Sequence, residues 1–562
     1  MARPPDLHTI ARPWVAAYPP GVPPTYRIPA VPLPRLLDDA IRDFPTEPAL
    51  RCGEVVMSHV ELRDRVAVVA TVLRDLGIGS GDRVLVATGT TATTPIALLA
   101  LWRIGAVAVP LPPGRDRQRR AVRAVEIATA TGVGAVLATS DHLDDLAAAG
   151  LVVPTVLATD DEGWLRPAGR WRVRVPRPRR RRGGGGVPTT LVAAVAATTD
   201  APVTRHGAGP VEVDRPAMLV PRWRGGERRA IVLTQANLVA STFQARLWVP
   251  DIQAGRERVV VAGDLLSPGP MVLGWLAGLL AAAEVELVAP DRTPELARII
   301  ARGRATLAIL EPAQVAELVQ GNEGNRRDLS SLRVVLAAGG PLDPELAAEL
   351  ERRTGGARVR EGFGVSEAGP ITHAQPVYGR TTPGAMGLPV TDTVAAVVDV
   401  DDLSRLTELG EPGRLLLAGP QVSPGYFEDP EATAARFVDG WLVTDDLASV
   451  DADGVFTHLG RRDEVLVTDG GHLVSPRRLE HVLEQHPGVR RAGVTTDASG
   501  AVVAAVTVQR RHRPTPEELV THGRAHLDSR DAPTRVILVE ELPENDAGGV
   551  AREDLRALLD EG

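Results

Sequence analysis

Short apolar runs of strand length alternate with longer stretches of helical apolar spacing along most of this chain. Asp82-Arg83-Val84-Leu85-Val86-Ala87, Ala106-Val107-Ala108-Val109-Pro110, Ala305-Thr306-Leu307-Ala308-Ile309-Leu310 and Leu332-Arg333-Val334-Val335-Leu336 read as strands, with a similar alternation from Arg258 to Val288. Leu36 to Asp43, Val60 to Leu76 and Pro95 to Ile104 carry helical spacing. Near-continuous apolar strands need cover on both faces, and the helices that connect parallel strands supply it. The pattern predicts an α/β fold built on parallel sheets. After Leu388 the strands shorten and turns divide them, as in a smaller β-rich subdomain. A last α/β unit follows, with a helix over Pro476 to Glu484 and strands at Val489 to Val494 and Ala501 to Val508. The 562 residues exceed one compact core, so a large domain over 1–459 and a small mobile one over 460–562 are expected. No internal repeat is present in the sequence.

Two segments break the pattern. Trp14 to Pro34, rich in proline and aromatic residues, reads as an extended arm lying on the body. From about 165 to 214 the chain runs through Arg170-Trp171-Arg172-Val173-Arg174, then Arg177-Pro178-Arg179-Arg180-Arg181-Arg182, then Gly183 to Gly186. Such a segment cannot bury a core and reads as a flexible basic surface loop. The functional alternative is an electrostatic dock for an acidic partner such as an acyl carrier protein.

Composition narrows the chemistry. A net charge of −8 gives no reason to expect nucleic-acid binding. Cys52 is the only cysteine, which excludes an intramolecular disulfide and any multi-cysteine metal site. No apolar run is long and clean enough to span a membrane, and the opening residues lack the features of an export signal, so a cytoplasmic protein is expected. All 63 basic residues are arginine, since the sequence contains no lysine. A guanidinium is a planar fork, not a compact rotatable ammonium, so chemistry that requires lysine is absent.

The most specific stretches come in a fixed order. Leu336-Ala337-Ala338-Gly339-Gly340-Pro341-Leu342 is followed by Glu361-Gly362-Phe363-Gly364-Val365-Ser366-Glu367-Ala368-Gly369-Pro370. Gly384 to Pro389, Gly410 to Pro420, Gly425-Tyr426, Pro430 to Thr433, Gly440 to Ala448 and Gly460-Arg461-Arg462-Asp463 come after them. In this order and spacing the chain resembles the adenylate-forming superfamily of acyl-CoA synthetases, luciferases and peptide-synthetase adenylation domains, almost end to end. Its opening arm resembles that of long-chain fatty-acyl-CoA ligases.

The resemblance implies a large N-terminal domain, a small C-terminal domain that rotates about a hinge, and attack of a carboxylate on ATP to give an acyl adenylate. A thiol such as CoA then takes the acyl group. It also implies roles for residues: Glu367 on Mg²⁺ with Ser366 beside it, Gly339 and Gly340 lining the adenine and acyl region, Asp446 and Arg461 on the ribose of AMP or ATP, and Asp463 at the hinge.

Against that pattern stand several departures. Leu233-Thr234-Gln235-Ala236-Asn237-Leu238 matches the helix start after the family's phosphate loop, a Thr/Ser/Gly-rich run with a lysine. Here the preceding residues are Val220-Pro221-Arg222-Trp223-Arg224-Gly225-Gly226-Glu227-Arg228-Arg229-Ala230, with no hydroxyl and with Arg229 at the lysine position. The C-terminal catalytic lysine of the family is Gly549. The family's aromatic-histidine stretch beside the acyl pocket is Gly263-Asp264-Leu265-Leu266-Ser267-Pro268-Gly269-Pro270, without histidine. Asp445 replaces the glycine before Asp446, which puts two carboxylates beside a nucleotide's negative charge. The losses concentrate on triphosphate binding and chemistry. They predict a ligase-like protein that lacks normal adenylation, holds an acyl or other carboxylate-derived molecule, and retains weakened affinity for AMP or ATP with Mg²⁺. Ligase-like proteins of polyketide and other secondary metabolism are the family analogy. Two alternatives stand beside it: a slow ligase whose arginines act for lysines, and a non-enzymatic scaffold that docks a carrier protein.

Overall fold

The computed structural model describes residues 3–114, 116–159, 189–190, 212–224, 227–321, 324–462, 464–468, 473–497, 499–509, 513–527, 531–543 and 550–560. Gly225, Gly226, Asp463 and Gly549 lie outside the described residues, as does nearly all of the basic segment 165–214.

Two large sheets dominate. The first runs in the order Leu388–Pro389, His373–Ala374, Arg358–Phe363, Val334–Ala337, Leu307–Leu310, Arg258–Ala262, Glu284–Val288, Pro48–Cys52 and Val55–Ser58. Its six inner strands pair in parallel, and antiparallel strands close both edges. The second runs Gly425–Tyr426, Glu227–Thr234, Pro216–Arg224, Val107–Pro110, Arg83–Ala87, Ala135–Ala138, Thr155–Ala158 and Thr189–Thr190. A third, antiparallel sheet holds Val394–Val398, Gly413–Ala418, Trp441–Val450, Phe437–Val438 and Phe456–Arg461. The expected domain boundary at 459/460 falls inside that last strand, which pairs with Trp441–Val450 as far as Arg461.

Helices fill the space between the two large sheets. Every residue of Thr93–Ile104 except Arg103 is buried, as expected of a helix with apolar surface on all sides. Trp102 stacks on Trp275 with ring centroids 6.1 Å apart, and its indole N–H donates to the Ala217 carbonyl at 3.1 Å. Gln235–Trp248 lies in the same layer, and the indole of Trp248 donates to Gln375 O at 3.0 Å. Its start is fixed by reciprocal bonds between Thr234 and Asn237. Beside these, Gly269–Leu276 forms a wide π-helical turn pressed onto the first sheet.

The arm from Trp14 to Pro34 does lie on the body, but it opens within a short helical turn, Pro13–Ala17, and another, Leu7–Thr9, precedes it. Pro13 suits the first helical position, where no N–H is needed. Trp14 packs edge-on against Phe456 at 5.8 Å, and the Tyr18 hydroxyl donates to Pro389 O. The small C-terminal domain has a sheet of Val489–Thr496, Val502–Val508 and Arg535–Leu538 with its own apolar clusters. Among the described residues no helix is long and apolar enough to cross a membrane.

The helix layer meets the first sheet at Gly274, where a Cβ would lie 2.5 Å from Val261 Cγ2. Gly274→Ala therefore destabilises the protein by about 1–3 kcal/mol through overpacking. Adding Val261→Ala recovers part of that loss, read as the urea midpoint of each variant; a Gly274→Ala protein as stable as the parent contradicts the packing.

Candidate functional site

Three sheets bring their ends to one place. The strand Arg358–Phe363 of the first sheet leads into the short turn Ser366–Ala368, which presents Ser366 and Glu367. The second sheet supplies Arg222, and the third supplies Asp445, Asp446 and Arg461. They line a cavity of about 170 Å³ together with Arg436 and Thr444. The carboxyl ends of parallel strands are where open α/β sheets place ligands.

The segment that should form a phosphate loop is a regular hairpin. Val220 pairs with Ile231, Pro221 with Ala230, Arg222 with Arg229, Trp223 with Arg228 and Arg224 with Glu227. An antiparallel ladder commits every second N–H of each arm to its partner and spreads the others along an extended strand. Pro221 carries none, so the backbone does not gather several N–H groups around one point as a phosphate loop does. The pleat puts Arg222 and Arg229 on one face. Trp223 turns to the other, where the guanidiniums of Arg228 and Arg123 stand 4.9 and 6.0 Å from its ring centroid. Arg229, at the lysine position, is paired with Asp429 at 3.1 Å.

Charge pairing decides what Glu367 can do. Its Oε1 accepts from Arg222 Nε at 2.9 Å and from the Tyr426 hydroxyl at 2.9 Å. Burial and the adjacent Glu367 charge push the Tyr426 phenol up, which keeps it a donor. Asp446 and Arg461 face each other across paired strands, yet each has a different partner. Asp446 Oδ1 lies 3.0 Å from His458 Nε2, and Arg461 Nη2 lies 3.2 Å from Asp445 Oδ2. Asp445 therefore does not stand as a bare second charge; guanidiniums surround it.

This arrangement does not fit Mg²⁺. The ion needs near-octahedral oxygen ligands at about 2.0–2.1 Å. One or two carboxylates with waters and phosphates usually complete that shell, but Glu367 Oε1 faces a guanidinium and a hydroxyl, a setting that disfavours a second cation. The hairpin offers a triphosphate no side-chain hydroxyl.

Gly339 and Gly340 follow the strand Val334–Ala337, with Gly339 at φ +98°. Nearby, burial pushes Asp264, Glu311 and Glu361 up from ordinary carboxyl values. Several residues escaped the sequence reading. Arg414, Arg436, Tyr426 and His458 all touch the site's carboxylates. Two left a trace: Tyr426 in the ordered stretch Gly425-Tyr426, and Arg414 as a charge opening the apolar run Leu415-Leu416-Leu417 on a buried strand.

Comparison with known proteins agrees with the fold. The sequence profile of the AMP-binding enzyme family matches residues 37–181 and 226–427, and that of the AMP-binding enzyme C-terminal domain matches 478–548. The first match breaks between 181 and 226, a stretch that includes Arg222 and Arg224. A long-chain-fatty-acid–CoA ligase of Bacillus subtilis (strain 168) is 27% identical over 560 residues, covering 98% of each chain. A feruloyl-CoA synthase of an Amycolatopsis species is 28% identical over 524 residues, 92% of this chain and 96% of its own. The crystal structure of a benzoate CoA ligase from Burkholderia xenovorans LB400 shares the fold, with TM-score 0.76 and 22% identity over 94% of this chain and 100% of that one.

Glu361 yields a pH test. Burial raises it to about 7, opposed only by the Leu342 N–H at 3.3 Å. The fold thus prefers the neutral acid, and its contribution is full below about pH 4.5 and lost as pH rises through about 7. Glu361→Gln should stabilise the protein by on the order of 3 kcal/mol at pH 8 and leave it unchanged near pH 4. Urea unfolding at both pH values checks this; equal gains at the two would rule out the titration.

Proposed function

The chain belongs to the AMP-binding enzyme family, and from that premise we propose that it is an acyl-CoA-ligase-like protein without normal ATP-dependent adenylate formation, kept for binding an acyl or other carboxylate-derived molecule. The relatives carry a long-chain fatty acid and a feruloyl group beside CoA in their names, which is why a carboxylate or its acyl derivative is the proposed ligand class. By analogy with ligase-like proteins of polyketide and other secondary metabolism, the role is an accessory one.

The observation that carries this reading is the Arg222–Glu367 pair at 2.9 Å. A cation from the rebuilt hairpin is held against the one carboxylate that the resemblance assigns to Mg²⁺. Adenylation also requires a cation between the attacking carboxylate and the α-phosphate. Gly549 offers none, and the chain has no lysine to replace it. Loss of one such transition-state contact costs about 3–4 kcal/mol, or roughly 10²–10³ in rate. The deficits act on one transition state, so their costs need not add.

A slow ligase is the rival reading, supported by the convergence of Arg222, Arg436 and Arg461 on the cavity. ATP–pyrophosphate exchange separates the two. With fatty, aryl and short-chain acids we expect no detectable exchange, and Gly549→Lys alone does not restore it because the hairpin stays unsuited to phosphates. Robust exchange by the unaltered protein, abolished by Glu367→Gln, would establish the rival.

Nucleotide affinity is expected to follow the same logic. Asp446 and Arg461 remain at the cavity while the triphosphate cradle is gone, so AMP or adenosine binds better than Mg-ATP. Calorimetry measures this ranking, and Mg-ATP binding tighter than AMP reverses it.

A further inference from the structure

Asp445 is the most heavily shared charge in the molecule's site. Arg461 approaches its Oδ2 at 3.2 Å, Arg414 its Oδ1 at 3.6 Å, Arg222 its Oδ2 at 3.9 Å, and Arg436 donates to it directly. All five side chains are between 9% and 19% exposed, so water does little to screen them. Burial disfavours the Asp445 anion, but the Arg436 bond and the charges of Arg436, Arg461 and Arg414 outweigh it and hold the carboxyl below its ordinary value. Asp445 is thus an anion throughout the physiological range.

Among the described residues four guanidiniums gather at two carboxylates, Asp445 and Glu367, while Asp446 faces His458. Planar forks converging on one point are the usual means of holding an oxyanion, phosphate or carboxylate alike. They come from separate parts of the chain: the hairpin, the strand Gly413–Ala418, the end of the helix Pro430–Arg436, and the strand Phe456–Arg461. Such convergence on a side chain at a cavity wall makes a socket, and the chain fills it with its own carboxylate.

We propose that Asp445 is the resident anion of this arginine socket and sets the site's preference against phosphate-bearing ligands: an external oxyanion binds only by taking Asp445's place. The idea deepens the reading of the cavity as a disabled nucleotide site and rests on it. The cavity of about 170 Å³ has room for a phosphate group beside Asp445, so the contest is for the guanidiniums themselves. Removing the charge of Asp445 while keeping its shape leaves the arginines one anion short. A phosphate group then restores the balance.

The test is calorimetry at low salt on the full chain, with inorganic phosphate, AMP and adenosine as probes. Asp445→Asn should bind both phosphate and AMP at least about tenfold more tightly than the parent, equal to 1.4 kcal/mol, with adenosine unchanged. Asp445→Glu, which keeps the anion, should show no such gain. A gain for AMP without inorganic phosphate, or an equal gain for adenosine, overturns the proposal, as does a parent protein that already binds phosphate as tightly as Asp445→Asn. If the surplus cation prevents Asp445→Asn from folding, Asp445→Asn with Arg414→Met restores the parent's charge balance and leaves the three arginines that line the cavity without Asp445 as competitor; a smaller gain for phosphate and AMP, with adenosine unchanged, is required of it. Pyrophosphate exchange by the parent would sink the disabled-ligase reading, whereas absence of the phosphate gain sinks only this one.

Discussion

Two parallel sheets share a single layer of buried helices, and the position of everything at the site follows from that sharing. Thr93–Ile104 and Gln235–Trp248 have no solvent face to give up, so each sheet must cover one side of them. Close contacts such as Gly274 on Val261 leave little freedom in how the layer seats on the first sheet. The strand ends are therefore held in fixed relation, and the chain leaving the third sheet is tied to them by Ser423, whose N–H donates to Glu367 O and whose hydroxyl donates to Val232 O, before it joins the second sheet as Gly425–Tyr426.

At that junction the governing constraint is that a buried charge needs a partner. A chain without lysine meets it with guanidiniums, whose several donors can serve two acceptors at once. Arg222 reaches both Glu367 and Asp445, and Arg414 joins Asp445 while donating to Thr444 O at 2.6 Å. The outcome is a closed set of ion pairs where the family resemblance implies ribose, phosphates and Mg²⁺. Breaking one pair strands the other charge, so such a set tends to persist as a unit.

The hairpin occupies the place where the family resemblance implies a phosphate loop, and it does so without disturbing the fold. Both arms continue strands that the second sheet requires in any case, from Pro216 and to Thr234. Strand residues such as Trp223 and Arg222 in the place of small polar ones let the pairing extend to Arg224 and Glu227. A ladder turns alternate N–H groups to opposite sides of each strand, whereas a phosphate cradle works only with several N–H groups converging on one point.

The α/β class, the helices over Leu36 to Asp43, Val60 to Leu76 and Pro476 to Glu484, and the order of the glycine-rich stretches were legible in the sequence, because periodicity and turn residues are local. So was the missing chemistry: a lysine absent from the sequence is absent from every site. The pairing was not legible. Nothing in the order of residues says that Arg222 meets Glu367, 145 positions later, or that Arg414, Arg436 and Arg461 meet at Asp445. Local spacing determined which elements form and which groups the chain lacks. Tertiary structure alone decided which charges neutralise one another, because Coulomb energy depends on distance in space and on burial, and both arise only when the sheets close.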